Sequence, residues 1–207
     1  MAFRSIDLAT WPRREYYLHY TDQVPCSYSL TVEVDITPLE GQRLYPAMLW
    51  LLTDTVNRFE SFRTDLTRAG LGIHEDMTPS YTVLNREQGN FCVLWTAFTP
   101  DYAAFLRRYE EDVQRYGASQ EMYPKPDRPA NCFDVSMLPW LHFTSFELAL
   151  HDAPRYLLPI FTLGKAVWRD GKRWLPLSIR VHHAVCDGYH VACFVDALQT
   201  AINTFGT

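Results

Sequence analysis

The stretch RWLPLSIRVHHAVCDGYH, residues 173 to 190, decides how the C-terminal part of this chain folds. Its first half alternates, and one face of the predicted strand carries Leu177, Ile179, Val181 and His183. The opposite face carries Ser178, Arg180 and His182. Asp187 and Gly188 then form a typical helix start, ahead of a predicted helix over about 188–203. The sequence therefore predicts a strand, a short turn and a helix, with the two adjacent histidines on opposite faces.

The histidines of this stretch admit three interpretations. A partly desolvated imidazole at a strand end stays neutral near pH 7 and can accept a proton, which makes His183 a candidate general base. The same residue is also explained as a histidine that only caps the sheet. A metal site would use His183, Asp187 and His190, but a strand end, a turn and a helix do not present these three together. Cys186 and Cys193 are interpreted as packed thiols, because no cation lies near them in sequence.

Composition excludes several classes of function. The chain has 207 residues, 47% of them hydrophobic, and we expect one domain over residues 1–207. A formal net charge of −5, without a long run of lysine or arginine, argues against a nucleic-acid partner. No apolar run approaches the roughly 20 residues needed to span a bilayer, so we expect a cytoplasmic protein without a membrane partner. The five cysteines form no CxxC pair and are expected to be reduced.

Periodicity elsewhere predicts both strands and helices. CSYSLTVEVDI, residues 26–36, alternates without a fault and predicts a half-buried strand. Residues 45–60 predict a deeply packed helix, because apolar residues lie on nearly every side of its helical wheel. The runs at 80–85 and 91–98, separated by REQGN, predict a β-hairpin. A further helix is predicted from Thr99-Pro100-Asp101, taken as N-cap, N1 and first-turn acid, to Gly117.

The C-terminal half adds more strands. YPKPDRP, residues 123–129, is predicted to be a loop because three prolines exclude regular structure. Strands are predicted for HFTSFELAL (142–150), for LPIFTLGKAVW (158–168), and for RWLPLSIRVHH (173–183) after a turn at Asp170-Gly171. Six or seven strands and three helices that do not alternate regularly predict an α+β, two-layer fold. Its mixed sheet should be covered by helices mainly on one side.

The motif HHAVCDGYH closely resembles the HHAVCDGFH signature of the type A chloramphenicol acetyltransferase family. The likeness extends over nearly the whole chain, through WPRREYY, PCSYSLT, YPAMLW, SMLPWLHFTSFEL and PIFTLGK. The shorter HHxxxDG core is shared with other coenzyme A acyltransferases, so an enzyme of the same build acting on another small hydroxyl compound stays open. A metal-dependent hydrolase and a noncatalytic antibiotic-binding module are the alternatives of other classes.

The resemblance implies a coenzyme A-dependent acyltransferase fold and direct transfer of an acetyl group from acetyl-coenzyme A to a hydroxyl of chloramphenicol. It implies that His183 is the general base and that Asp187 forms an ion pair with Arg13, which composition alone would assign to a solvated surface. Ser136 corresponds to the donor to the oxyanion, and Thr162 to a threonine that holds a water nearby. No metal is implied.

The resemblance also implies binding residues and an assembly. Lys165 corresponds to a lysine near the coenzyme's phosphate, and Trp140 to a residue on the coenzyme side. An apolar acceptor pocket corresponds to Tyr20, Cys26, Tyr28, Phe91 and Leu148. Where Tyr28 stands the family often has phenylalanine, so we expect its hydroxyl to enter this pocket. Family members are homotrimers with active sites between subunits, which implies the same assembly here.

Overall fold

Seven strands pair into one mixed sheet in the computed structural model, which describes residues 2–150 and 155–206. The strands are β2 (Ser27–Asp35), β5 (Thr78–Asn85), β6 (Asn90–Trp95), β7 (Cys132–Met137), β8 (Ile160–Leu163), β9 (Val167–Arg169) and β10 (Lys172–His182). Their order is β2-β10-β8-β7-β5-β6, with β9 paired to the start of β10. The pairs β5–β7 and β7–β8 are parallel and the others antiparallel. The long strand β10 thus lies between β2 and β8 and carries the histidine motif at its end.

A second, small sheet accompanies the main one and was not predicted. It consists of β1 (Phe3–Ser5), β3 (Thr64–Thr67) and β4 (Gly70–His74) in the order β1-β4-β3. Strands of three to five residues are too short for alternation to reveal them.

Four α-helices are present among the described residues, one more than expected. They are α1 (Arg14–Leu18), α2 (Leu44–Val56), α3 (Tyr102–Tyr116) and α4 (Gly188–Asn203). The helix predicted over 45–60 ends at Val56, and its central turns are fully buried, as predicted. Helix α4 has the predicted bounds. Its Phe194 stacks on Phe161 of β8 with ring centroids 5.4 Å apart, which fixes α4 to the apolar face of the sheet. The α+β class is confirmed.

The start of α3 differs from the prediction. Asp101, not Thr99, is the N-cap residue, and its carboxylate accepts a hydrogen bond from the Ala103 N–H at 2.9 Å. Pro100 therefore lies outside the helix instead of at N1. A carboxylate is among the best N-cap groups and also stabilises the positive end of the helix dipole, so the later position is preferred.

The strand predicted at 142–150 is wrong, because these residues form no regular structure. The segment crosses the sheet face opposite the helices and bonds to side chains instead of to a neighbouring strand. The Phe146 N–H donates to Thr31 Oγ1 at 3.2 Å, and Ser178 Oγ donates to the Phe146 carbonyl at 2.7 Å. Ser178 and its face neighbours Arg180 and His182 are buried, although polar, and Arg180 donates to the Tyr156 carbonyl at 3.2 Å.

Two turn predictions are confirmed, and one strand is split. Asp170 and Gly171 both have positive φ, 54° and 73°, and join β9 to β10 as a two-residue hairpin. The proline-rich stretch 123–129 is a loop. The predicted strand 158–168 is interrupted between β8 and β9, where the Gly164 N–H donates to the Pro176 carbonyl at 2.8 Å. No helix in the described ranges is long and apolar enough to cross a membrane.

Candidate active site

The turn after β10 presents the histidine motif. The His183 N–H donates to the Cys26 carbonyl at 3.0 Å, so pairing with the chain before β2 continues one residue beyond the strand. The N–H groups of Val185 and Cys186 then both donate to the His182 carbonyl, which closes a tight turn. Asp187 is the N-cap residue of α4. The alternation, the turn and the Asp-Gly helix start therefore act together to place His183 and Asp187 side by side.

Two tyrosine rings enclose the His183 imidazole. Tyr20 stacks on it with centroids 4.2 Å apart and an interplanar angle of 6°, and Tyr28 meets it edge-on at 5.3 Å. Tyr28 pairs with Val181 in the sheet, so these contacts place His183 on the apolar face, as predicted. Nδ1 of His183 is buried and has no hydrogen-bond partner within the described residues, although Asp187 Oδ1 lies 3.2 Å away. The imidazole is held by packing.

The Tyr28 hydroxyl donates to the Cys186 carbonyl at 3.3 Å, in the turn that follows His183.

Arg13 and Asp187 form a bidentate ion pair. Arg13 Nη1 and Nη2 donate to the two carboxylate oxygens at 2.7 and 3.0 Å, and the side chains are only 18% and 33% exposed. The same guanidinium contacts the carbonyls of His183 and Ala184 at 3.3 and 3.4 Å. Hydrogen bonds and charge from Arg13 hold the pKa of Asp187 below its ordinary value, against the opposing effect of burial. The surface assignment that composition gave Arg13 is wrong.

His190 caps the turn and does not join a metal site. Its Nδ1 accepts from the Asp187 N–H at 3.1 Å, and burial lowers its pKa, with a further contribution from Arg13. Both Asp187 oxygens are engaged by Arg13. Within the described part of the chain no three His, Cys, Asp or Glu side chains are grouped so as to hold a metal ion. The geometry therefore gives no support to the metal-dependent alternative.

His182 has a different environment from His183. It is 1% exposed, on the sheet face opposite the helices, and its Nδ1 accepts from the Ala184 N–H at 3.2 Å. The adjacent histidines thus differ in face, in burial and in partners, as alternation predicts.

Ser136 and Thr162 lie in a row of hydroxyls across the sheet. Ser136 pairs with Thr162, which pairs with Ser178, which pairs with Thr31. Directly paired residues share a face, and Ser136 Oγ and Thr162 Oγ1 are hydrogen-bonded at 3.0 Å. These two candidates are brought together on the face opposite His183. No strand was predicted at Ser136.

A cavity of about 440 Å³ opens beside Ser136. Its lining includes Tyr45, Arg86, Phe91, Ser136, Met137 and Trp140. Phe91 and Trp140 are 49% and 57% exposed, so this apolar surface is open to a ligand or a partner. Tyr45, which sequence reasoning assigned to a core helix, donates its hydroxyl to the Val135 carbonyl at 3.2 Å, next to Ser136. In the sequence, the polar hydroxyl of a tyrosine in the first turn of a mainly apolar helix could have indicated that Tyr45 lies at the edge of the core.

The remaining candidates lie on loops. Lys165 follows β8, and its backbone N–H donates to the Leu141 carbonyl at 2.7 Å, while its carbonyl bonds His142 Nδ1 at 3.1 Å. Leu148 lies in the segment that crosses the sheet face and is 41% exposed. Cys26 is a partly exposed free thiol immediately before β2, and its carbonyl accepts a hydrogen bond from the His183 N–H.

Within one chain, the candidate residues fall into two groups that lie far apart. Ser136 is two strands from β10, in line with Ser178, and His183 follows Ser178 by five positions on the opposite face. With about 4.8 Å between strands and about 3.4 Å per residue, the Cα atoms of Ser136 and His183 are roughly 20 Å apart. Ser136 and His183 of the same chain therefore cannot act on one reacting atom.

Comparison with solved structures defines the class of protein. A chloramphenicol acetyltransferase matches with a TM-score of 0.86 over 97% of this chain and 100% of its own, at 20% sequence identity. A dihydrolipoamide acetyltransferase from Azotobacter vinelandii matches with a TM-score of 0.65 over 92% of this chain and 86% of its own, at 19% identity. The chain shares the fold of these two acetyltransferases.

Sequence similarity then defines the family. The family model described as chloramphenicol acetyltransferase matches residues 1–199. A chloramphenicol acetyltransferase from Clostridium perfringens is 49% identical over 207 residues, covering 99% of this chain and 100% of its own length. The chain belongs to the chloramphenicol acetyltransferase family.

Proposed function

We propose that the protein transfers the acetyl group of acetyl-coenzyme A to a hydroxyl of chloramphenicol, with His183 as the general base. The observation that carries this proposal is the packed His183 beside the Arg13–Asp187 ion pair, in a chain of this family. Acetyl-coenzyme A is a substrate and no metal takes part. A cytoplasmic location belongs to the proposal, because that is where acetyl-coenzyme A is supplied.

His183 removes the proton in this mechanism. Its Nδ1 is buried, so Nε2 is the nitrogen left to accept the proton of the attacking hydroxyl. The hydroxyl oxygen attacks the thioester carbonyl and forms a tetrahedral intermediate. The carbon–sulfur bond then breaks, and the departing thiolate takes the proton from His183. No acyl-enzyme forms, and the imidazole returns to its neutral state.

Asp187 holds the turn and is not a proton relay in this proposal. Arg13 engages both of its oxygens, so the carboxylate is already committed to a permanent cation. The negative charge 3.2 Å from His183 Nδ1 also favours the imidazolium that forms during the reaction. Arg13 and Asp187 thus fix the position and support the charge of the base.

Ser136 stabilises the tetrahedral intermediate. Its hydroxyl donates to the oxyanion, an interaction worth about 3 kcal/mol for one well-placed donor. Thr162, at 3.0 Å, orients that hydroxyl and holds a nearby water. Trp140, on the same cavity wall, contacts the coenzyme, and the exposed Lys165 meets its phosphate.

The acceptor is held by apolar and aromatic groups from both regions. Tyr20, Cys26 and Tyr28 surround His183, whereas Phe91 lies beside Ser136 and Leu148 on the crossing segment. Such a wall suits a nitrophenyl ring and orients it with few polar contacts.

A complete site takes His183 from one copy and Ser136 from its neighbour in a homotrimer. Two features support this arrangement: the roughly 20 Å between these residues within one chain, and large exposed apolar side chains near Ser136. These side chains are Leu84, Phe91, Trp140 and Leu141. Cyclic assembly lets the same two surfaces meet at every interface.

The function is tested by acetyl transfer with purified protein. Acetylated chloramphenicol should be detected by mass spectrometry with acetyl-coenzyme A present, and should be absent with His183→Ala. An acceptor whose hydroxyls are blocked serves as the negative control. If the wild-type protein binds chloramphenicol but leaves acetyl-coenzyme A intact, the function as an acetyltransferase is wrong. Turnover with other hydroxyl compounds alone would favour the related acyltransferase.

The shared site is tested by complementation. His183→Ala and Ser136→Ala are purified separately, mixed at equal amounts, unfolded and refolded together. Random mixing should give active interfaces at about one in four positions, each with an intact His183 and an intact Ser136. Refolded single variants and an unmixed blend serve as controls. Activity that never exceeds the sum of the two variants would contradict a site shared between copies.

A further inference from the structure

Tyr28 contacts both the base and the turn that carries it. Its ring meets His183 edge-on, with centroids 5.3 Å apart and an interplanar angle of 67°. Its hydroxyl donates to the Cys186 carbonyl at 3.3 Å. Because Tyr28 belongs to β2, these contacts connect the sheet to the last residue before Asp187.

Side chains satisfy several carbonyls of the turn. Arg13 contacts the carbonyls of His183 and Ala184, and the Tyr28 hydroxyl donates to the carbonyl of Cys186. Asp187 is the other anchor of Arg13. Arg13 approaches from the N-terminal segment and Tyr28 from β2, so the turn is fixed from two different elements.

The orientation of His183 depends on this fixation. Within the described residues its buried Nδ1 has no hydrogen-bond partner, and the ring is located by the two tyrosines. Stacking on Tyr20 limits the tilt of the imidazole but does not by itself fix the ring within its plane. The position of the turn therefore determines where Nε2 points.

We propose that Tyr28 is a positioning residue. Its hydroxyl donates to the Cys186 carbonyl and thereby holds the His183 imidazole in the position needed for proton transfer. This inference rests on the proposed function, in which His183 is the base. The hydroxyl is committed to the turn and is not a contact for the acceptor. Burial raises the pKa of Tyr28 well above its ordinary value, so the phenol stays protonated and remains a donor at neutral pH.

The kinetic test removes a single oxygen. Tyr28→Phe keeps the ring, so kcat should fall about fivefold, the effect of losing one neutral hydrogen bond. KM for both substrates should stay within about twofold, because no acceptor contact is lost. Tyr102→Phe is the matched control, since its hydroxyl is buried without a hydrogen-bond partner in the described chain and lies on α3. A rise in acceptor KM at unchanged kcat, or no change in either, would overturn the proposal.

A second readout does not depend on turnover. Hydrogen exchange by mass spectrometry should show faster exchange in peptides covering residues 183–187 for Tyr28→Phe, and wild-type exchange for Tyr102→Phe. Unchanged exchange in this turn would contradict the proposal even if kcat falls. If the wild-type protein fails to acetylate chloramphenicol, the proposed function fails, while the exchange data still decide whether Tyr28 fixes the turn.

Discussion

Asp187→Asn should destabilise the protein as well as inactivate it. The substitution keeps the size of the side chain but removes the charge that faces Arg13, a guanidinium only 18% exposed. Hydrogen bonds between charged groups contribute about 1.5 to 3 kcal/mol each, and two are made at 2.7 and 3.0 Å. Asparagine retains one acceptor oxygen and solvent screens part of the pair. We therefore expect the free energy of unfolding to fall by about 2 kcal/mol.

The same change should lower kcat on the order of a hundredfold. Arg13 also contacts the carbonyls of His183 and Ala184, so loss of its anchor displaces the base, and displacements near 1 Å have such effects. Denaturant unfolding at one fixed protein concentration measures the stability. Asp54→Asn is the matched control, because its partner Arg58 is 51% exposed against 18% for Arg13, and it should cost less than about 0.5 kcal/mol.

One result would refute this reasoning. If Asp187→Asn keeps wild-type stability yet loses activity, the structural role of Asp187 is wrong and its charge acts directly on His183, by supporting the imidazolium or by proton transfer. A loss of stability equal to that of Asp54→Asn would lead to the same conclusion.

Three further predictions concern the same motif. His183→Ala should abolish nearly all turnover while dissociation constants for both substrates stay within a few-fold, whereas the buried His182→Ala should lower the melting temperature and retain much of kcat. The opposite pattern would overturn the assignment of faces. Burial raises the pKa of Cys186 to about 12, so iodoacetamide at pH 8 should label Cys186 only after unfolding, as peptide mass spectrometry would show; rapid labelling of the native protein would contradict this. Because the folded pKa of Asp187 is lowered, its stabilising contribution is present above the ordinary value of 3.8 and is lost as pH falls through the folded pKa. Unfolding measured between pH 5 and pH 2 should therefore show a smaller acid loss for Asp187→Asn than for the wild type, and equal slopes would contradict it.

Local patterns were sufficient for the parts of the fold that depend on local physics. The alternation of 26–36, the Asp-Gly helix start at 187–188 and the hairpin turn at 170–171 were each predicted and are present. The face of His183 followed from the alternation of residues 177–183. In each case the residues that determine the local structure are close together in the sequence.

Contacts between distant parts of the chain were not predictable in this way. Arg13 and Asp187 are 174 positions apart, and nothing near Arg13 distinguishes it from a solvated arginine. Only the family resemblance assigned this pair. The segment 142–150 shows the converse error, since it was predicted as a strand and instead bonds to side chains on a sheet face.

The sheet itself explains why the candidate site is the least local feature of all. Its apolar face ends at His183, while the hydroxyl row through Ser136 and Thr162 lies on the other face. The Cα atoms of Ser136 and His183 in one chain are roughly 20 Å apart, so no small movement brings these two side chains together. Trp140 is 57% exposed on a loop beside Ser136. In the proposed homotrimer, a neighbouring copy covers this apolar side chain and brings its own His183 to Ser136. Periodicity defines which face a residue occupies, but not which faces of two molecules meet.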